Sequence, residues 1–359
     1  MKWPITLGWV RESWRSWGWG DATCYELPSL LARVPPVVPL IKGDDAALPP
    51  ANLKRPPYQG GLQGVVPRLP RRRHTTRLLR PHASQGAPSP MTLPLSVSGR
   101  SALDVAVVAA RRAGTIILKG YSRAKQVSYK GRANPVTDTD IRAEETLLAI
   151  LREQFPGHGI LSEESGQAAE GPEYQWVVDP LDGTRNFAWG LPLFAVCVAL
   201  ARGEDVLLGV VYDPLRRELF CAAKGGGATL NGRPIHVSDR STLESAIIAT
   251  DAGYDDDKAK KALQLVADLW PGIQAPRFLG SAALGMSYVA AGRLDLYFHH
   301  SLKPWDLAAP YVIVEEAGGV ITTREGKPAS YRSGGVIVAN PVLQKAFLER
   351  ANGHPWQRA

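Results

Sequence analysis

From Ser101 onward, apolar and polar positions settle into short regular periods. Ser101–Lys119 is rich in Ala and Val on almost every side, which predicts a largely buried helix stopped at Gly120. Residues 126–138 read as an extended, turn-punctuated segment, and Thr139-Asp140 leads into a second helix reaching about Phe155. Its apolar face is Ala143, Leu147, Leu148 and Leu151. A short strand, Ile160–Ser165, empties into an acidic loop. Leu191–Ala201 and Val206–Tyr212 are apolar strands joined by Arg202-Gly203-Glu204-Asp205, and Glu218–Ala223 and Ala228–Asn231 extend them into an antiparallel meander. Beyond a soft boundary near residues 235–245 the pattern alternates. The amphipathic helix Lys258–Trp270 is followed by a helix opening at Gly280-Ser281 and running to about Ala291. The strand Leu294–Phe298 precedes a helix from Trp305-Asp306 to Gly318-Gly319. Strands Val320–Thr323 and Val336–Ala339 and the helix Pro341–Arg350 complete the series. Helices and a meander, then alternating α and β, predict an α+β unit over 96–240 and an α/β unit over 241–352.

The first quarter of the chain breaks this order. Residues 1–90 hold no sustained period, five tryptophans, a Pro-rich middle and the run Arg71-Arg72-Arg73-His74. They carry 13 Lys and Arg against 5 Asp and Glu, so the whole net charge of +8 lies there, and residues 91–359 are balanced at 29 against 29. Three readings compete: an upstream extension with translation truly starting at Met91, an organellar transit segment, or a disordered basic arm whose tryptophans stack on nucleic acid. On this pattern, 1–95 stands apart as an extension. No stretch is suited to be a signal core or a membrane span. The balanced remainder argues against a basic docking face, so any nucleic-acid contact is expected only through the extension. Three scattered cysteines, Cys24, Cys197 and Cys221, supply neither a disulfide framework nor a zinc site and fit a reducing, cytoplasmic setting.

Candidate chemistry centres on Trp176–Phe187. An apolar strand runs into Asp179-Pro180-Leu181-Asp182, and Gly183-Thr184 follows at once. Carboxylates at a strand end suit a hard cation such as Mg²⁺. The amides of Gly183 and Thr184, opening a helix, suit an anion. A plain surface turn is the competing reading, because Asp-Pro and Asp-Gly are common turn pairs. Further carboxylates stand at element junctions: Glu163-Glu164, Asp140 and Asp306. Glu163-Glu164 also reads as a solvated loop, and Asp140 and Asp306 as helix N-caps. Their shared placement favours convergence, and two-metal phosphate hydrolysis needs several carboxylates around ions about 4 Å apart.

The segments Asp-Pro-Leu-Asp-Gly-Thr (179–184), Leu-Ser-Glu-Glu-Ser (161–165) and Trp-Asp-Leu-Ala-Ala (305–309) resemble the inositol monophosphatase family. Asn-Pro-Val-Thr-Asp-Thr-Asp (134–140) and Gly-Ser-Ala-Ala (280–283) match it in the same order, over about residues 100–350. The resemblance implies the layered αβαβα sandwich shared with fructose-1,6-bisphosphatases, and a Mg²⁺-dependent, lithium-sensitive phosphate monoester hydrolase that is usually a homodimer. It implies Glu163, Asp179 and the Leu181 carbonyl at a first metal, and Asp182 and Asp306 at a second that Asp179 would share. Thr184, bonded to Asp140, would orient and deprotonate the attacking water, and the Gly183 and Thr184 amides would hold phosphate oxygens. Substrate contacts are expected from Glu163, Asp182, Gly183, Thr184, Ser281, His299 and Asp306. Lys130 matches a family lysine near the site. Two positions depart from the pattern. His299, followed by His300, replaces a glutamate that touches sugar hydroxyls in inositol-specific members; it either changes polyol recognition or simply ends a strand. Arg185 replaces a small residue and either meets a second phosphate or pairs with a surface carboxylate. Inositol 1-phosphate is the first substrate expected, with fructose-1,6-bisphosphatase, histidinol-phosphatase and 3′-phosphonucleotide phosphatase activities as rivals. An RNA- and transcription-associated binding protein with secondary phosphatase activity is the alternative of another class.

Overall fold

The computed structural model describes residues 92–169 and 173–358, so the readings offered for residues 1–90 lie outside the described residues. Helix α1 (Ala102–Tyr121) is capped by the Ser101 hydroxyl, which accepts from the Asp104 amide at 3.1 Å. The hairpin β1 (Val127–Gly131) and β2 (Asn134–Thr137) leads into α2 (Asp138–Gln154). Strands β3 (Gly159–Ser162), β4 (Gly166–Ala169) and β5 (Tyr174–Asp182) precede the short helix α3 (Thr184–Trp189). The meander follows as β6 (Ala195–Arg202), β7 (Asp205–Asp213), β8 (Glu218–Ala223), β9 (Ala228–Leu230) and β10 (Arg233–Pro234). The remaining elements are β11 (Ile247–Thr250), α4 (Asp256–Leu269), β12 (Ala275–Phe278), α5 (Ala282–Ala290), β13 (Leu296–His299), α6 (Pro304–Glu316), β14 (Val320–Thr322), β15 (Val336–Ala339) and α7 (Pro341–Ala351).

Eight strands form one sheet in the order β10-β9-β8-β7-β6-β5-β3-β4, and five form a second, β12-β11-β13-β15-β14. The period of two along β6 explains the layering. Val196, Val198 and Leu200 face α1 and α2, whereas Ala195, Cys197, Ala199 and Ala201 face α5 and α6. The small residues let α6 lie close. At Gly209 on β7 an added Cβ would stand 2.2 Å from the Ala309 carbonyl oxygen, so a side chain there is excluded. The far face of the five-stranded sheet packs Ile248, Leu296, Phe298 and Ile337 against α4 and α7. The layers are therefore α1/α2, large sheet, α5/α6, small sheet and α4/α7, an αβαβα sandwich.

Local differences from the sequence expectations have local causes. The strand expected from Leu191 begins at Ala195, because Leu191–Leu193 makes a tight turn closed by the Leu193 amide on the Leu191 carbonyl at 2.9 Å. The strand expected over Ile160–Ser165 ends at Ser162, and the chain turns back into β4. Strands β11 and β12 carry no marked alternation, and Pro276 sits in β12 at the sheet edge, where its missing N–H is harmless. Pro310 lies inside α6 and removes the donor that would serve the Asp306 carbonyl one turn earlier.

Candidate active site

The strand β5 carries a bulge where the chemistry begins. Asp179 stands opposite Cys197 on β6, but Asp182 stands opposite Ala195, so three steps on one strand meet two on the other. In a regular strand, residues three apart point to opposite faces. The extra residue puts the Asp179 and Asp182 side chains on the face of Cys197 and Ala195, while Leu181 packs into the opposite core. Helix α6 covers that same face and brings Asp306 with its first turn. One carboxylate oxygen each from Asp179, Asp182 and Asp306 lies within 4.8 Å of the others. The surface-turn reading of the stretch does not survive this geometry: Asp179 is 1% exposed and Asp182 7%.

Each carboxylate is held in aim by one or two donors. Asp179 accepts from the Leu181 amide at 2.9 Å, and Asp306 from the Lys303 amide at 2.8 Å. Asp182 Oδ2 accepts from the Ala283 amide at 3.1 Å and from the Ser281 hydroxyl. Burial raises all three above the ordinary carboxylate range. Glu163 and Asp182 add to this at Asp179, and Asp182 does so at Asp306, because like charges oppose ionisation. For Asp182 the burial effect, partly offset by Ser281 and Ala283, brings the value to about 7.

Asp140 and Thr184 form the second element. Asp140 is the third residue of α2 rather than its cap. Its Oδ2 closes a capping box with Thr137, accepting from that residue's amide at 2.9 Å and from its hydroxyl. Its Oδ1 accepts from the Thr184 hydroxyl at 3.0 Å, and the same hydroxyl lies 2.8 Å from the Leu181 carbonyl. One hydroxyl proton thus stands between two acceptors. Burial, outweighing the bonds from Thr137 and Thr184, pushes Asp140 up to about 6.

Gly183 caps α3 at φ +87°, and an added Cβ would lie 2.8 Å from the Leu193 carbonyl oxygen. Only glycine lets the chain turn there, leaving the amides at the helix opening without intrahelical partners. Asn186 ties this turn to the second sheet, donating to the carbonyls of Leu193 at 2.8 Å and Leu279 at 2.7 Å.

Glu163 lines the same cavity but stands outside the three-carboxylate cluster. Its Oε1 accepts from Lys130 Nζ at 2.6 Å, and Glu164 accepts from the same ammonium at 2.9 Å. Burial alone would lower the Lys130 pKa; the two glutamates outweigh it and raise it. Ser281 is 1% exposed and sits behind Asp182 as the cap of α5, so its hydroxyl serves the carboxylate and not the cavity surface. His299 closes β13 and also lines the cavity with His300. Its Nδ1 accepts from the Ser301 amide at 3.0 Å, which puts the proton of the neutral ring on Nε2. Burial drives His299 down to about 3 and His300 to about 4, so both rings are uncharged at neutral pH. Arg185 lines the cavity, donates to the Ala133 carbonyl at 2.8 Å and lies 4.8 Å from the Tyr254 ring centre, and it forms no ion pair with a carboxylate among the described residues. The cavity measures about 880 Å³, with Tyr254, Phe278 and Trp305 among its walls.

Sequence reading missed the residues that brace the site. Glu144 accepts from the Glu164 amide at 3.0 Å and from the Ser162 and Ser165 hydroxyls, clamping the Glu163 loop on both sides. Its position among α2 residues carries the ordinary signature of a solvent-facing glutamate. Asp251 follows β11, a strand whose residues carry no alternation to mark it in the sequence.

The model of the inositol monophosphatase family matches residues 100–357. A Dictyostelium discoideum inositol monophosphatase is 40% identical over 261 residues, covering 69% of this chain and 95% of that protein. The Nus factor SuhB of Escherichia coli K12 is 41% identical over 251 residues, covering 68% and 94%. A solved IMPase/NADP phosphatase, complexed with Mg²⁺ and phosphate, superposes with a TM-score of 0.61 at 26% identity, covering 68% of this chain and 92% of that one.

Proposed function

The chain belongs to the inositol monophosphatase family, and on that premise we propose that it hydrolyses inositol 1-phosphate with Mg²⁺, releasing inositol and inorganic phosphate. The observation that carries the reading is the convergence of Asp179, Asp182 and Asp306 beside the Asp140–Thr184 pair. The donor set fits the ion: all three ligating atoms are carboxylate oxygens, the ligand type of hard cations, and their mutual repulsion calls for a positive charge between them. Asp179, Asp182 and Asp306 would hold it, with Glu163 and the Leu181 carbonyl at the margin. When bound, Mg²⁺ supplies Lewis-acid polarisation of the phosphate and a lowered pKa for water. The similar phosphatase complexed with Mg²⁺ and phosphate supports this choice.

The protein's own groups supply the proton path. Water attacks phosphorus as the ester P–O bond breaks; the departing alkoxide oxygen takes a proton from solvent, to which Asp140 returns the one it receives. The attacking water's proton passes to Thr184 Oγ as the Thr184 proton passes to Asp140. A carboxyl titrating near 6 suits that role close to neutral pH. The Gly183 and Thr184 amides would hold the phosphate oxygens. His299 Nε2–H would replace a carboxylate acceptor with a donor at the polyol. Ser281 is assigned a supporting place behind Asp182. The working unit would be a homodimer, as the family resemblance implies, in the reducing cytoplasmic setting that the three scattered cysteines suit.

A panel of phosphate monoesters assayed for released phosphate, with Mg²⁺ and with or without Li⁺, tests the reading. Inositol 1-phosphate should turn over fastest and Li⁺ should inhibit; no release from any monoester would refute it. The similar Nus factor and the basic charge of residues 1–90 favour a second reading, contact with RNA. It requires a salt-dependent RNA mobility shift that disappears when residues 1–90 are deleted.

A further inference from the structure

A carboxylate outside the ion cluster governs how that cluster is presented. Asp251 follows β11, and its Oδ1 accepts from the amides of Leu279 at 2.8 Å and Gly280 at 2.6 Å. Its Oδ2 accepts from the Tyr297 hydroxyl at 3.1 Å. The residue lines the cavity, yet both oxygens are engaged by protein donors, which marks it as a brace and not a substrate contact. The braced peptides lie immediately before Ser281, whose hydroxyl donates to Asp182, and two residues further the Ala283 amide donates to the same Asp182 oxygen. Gly280 sits at φ +69°, where an added Cβ would lie 2.8 Å from the Asn186 amide group. The left-handed backbone and the nearby Asn186 amide favour glycine there, and glycine leaves the segment with the greatest backbone freedom. Something must therefore fix the turn. Asn186 holds the Leu279 carbonyl from one side, and Asp251 holds the two amides from the other.

We propose that Asp251 is a positioning residue for the metal centre: by pinning Leu279–Gly280 it sets Ser281 and Ala283 on one oxygen of Asp182 and leaves the other oxygen to the ion. The inference rests on the Mg²⁺-centred reading above. Outer partners of metal-binding carboxylates typically change ion affinity by roughly 10–100-fold when removed. Asp251 acts one step further out, through two peptides and a hydroxyl, and the lower end of that range is expected.

The test uses the full chain and Mg²⁺ itself, in calorimetric titration alongside phosphate release at graded Mg²⁺. Asp251→Ala should weaken Mg²⁺ binding about tenfold and raise half-activation in proportion. At saturating Mg²⁺, KM for inositol 1-phosphate should stay within about twofold. Asp251→Asn, whose oxygen still accepts from both amides, should remain within about threefold of wild type. Should the alanine variant not fold, Asp251→Glu decides, since its longer arm displaces the turn and should weaken Mg²⁺ as alanine does. Unchanged Mg²⁺ affinity in the folded alanine variant, or in the glutamate variant, overturns the proposal, whatever happens to thermal stability. A wild type that takes up Mg²⁺ but releases no phosphate overturns the phosphatase reading alone. A wild type that takes up none overturns both.

Discussion

Replacing Asp182 by Asn separates the two energetic roles of the carboxylate cluster. The amide keeps the size of the side chain and an oxygen to accept from Ala283, so the fold at the β5 bulge is retained. What disappears is one negative charge whose oxygen lies within 4.8 Å of two others. At an effective dielectric constant of about 20, like unit charges at that separation repel by about 3–4 kcal/mol. Burial already holds all three carboxyls above their ordinary range, so part of that repulsion is absorbed by protonation at neutral pH. Without divalent ions at pH 8, Asp182→Asn should therefore be more stable than wild type, by about 1–3 kcal/mol. With Mg²⁺ most or all of that advantage is offset. An ion present at 100 times its Kd stabilises wild type by about 2.7 kcal/mol, roughly 5–10 °C in Tm for a domain of this size, and the variant gains little. Thermal melts in chelator and in Mg²⁺, paired with phosphate release, read both effects. A variant that gains the full Mg²⁺ shift and keeps near-normal turnover would refute the assignment.

Other perturbations have equally definite outcomes. Gly183→Ala forces a side chain into φ +87° and against the Leu193 carbonyl, and should cost about 2 kcal/mol or more in denaturant unfolding with loss of phosphatase activity. Gly209→Ala puts a Cβ 2.2 Å from the Ala309 carbonyl oxygen, and pushing α6 off the sheet should cost about 3 kcal/mol or more in the same assay. His299 and His300 have folded pKa values depressed to about 3 and about 4, so below about pH 6.5 the unfolded chain binds more protons than the folded one. Their contribution to stability is present above that pH and is lost as pH falls toward 4, with a slope of up to about 2.7 kcal/mol per pH unit. His300→Phe, which gives up no hydrogen bond from either nitrogen, should remove about half of that slope in urea titrations at pH 4–7.

Much of this was legible along the chain because the informative signals are local. The apolar run ending at Ala201 and the helical face of Ala143, Leu147 and Leu151 mark elements whose neighbours are set by burial alone. Asp179, Asp182, Thr184 and Asp306 stand out because strand ends and helix starts concentrate such residues. The bulge that turns Asp179 and Asp182 to one face is invisible in sequence, since it depends on register against β6. Glu144 and Asp251 escape for a related reason: each acts on peptides 20 or more residues away, and nothing in its immediate surroundings distinguishes it from a solvated acid. Ser281 and Glu163 were found, but their partners, Asp182 and Lys130, redirect what the side chains do.

Crystals of the full chain soaked in Mn²⁺, a close substitute for Mg²⁺ with usable anomalous scattering, address the metal centre without relying on turnover. An anomalous peak is expected between Asp179, Asp182 and Asp306, at oxygen-ligand distances of about 2.1 Å. No peak there, with Mn²⁺ bound elsewhere or nowhere, would contradict the metal assignment.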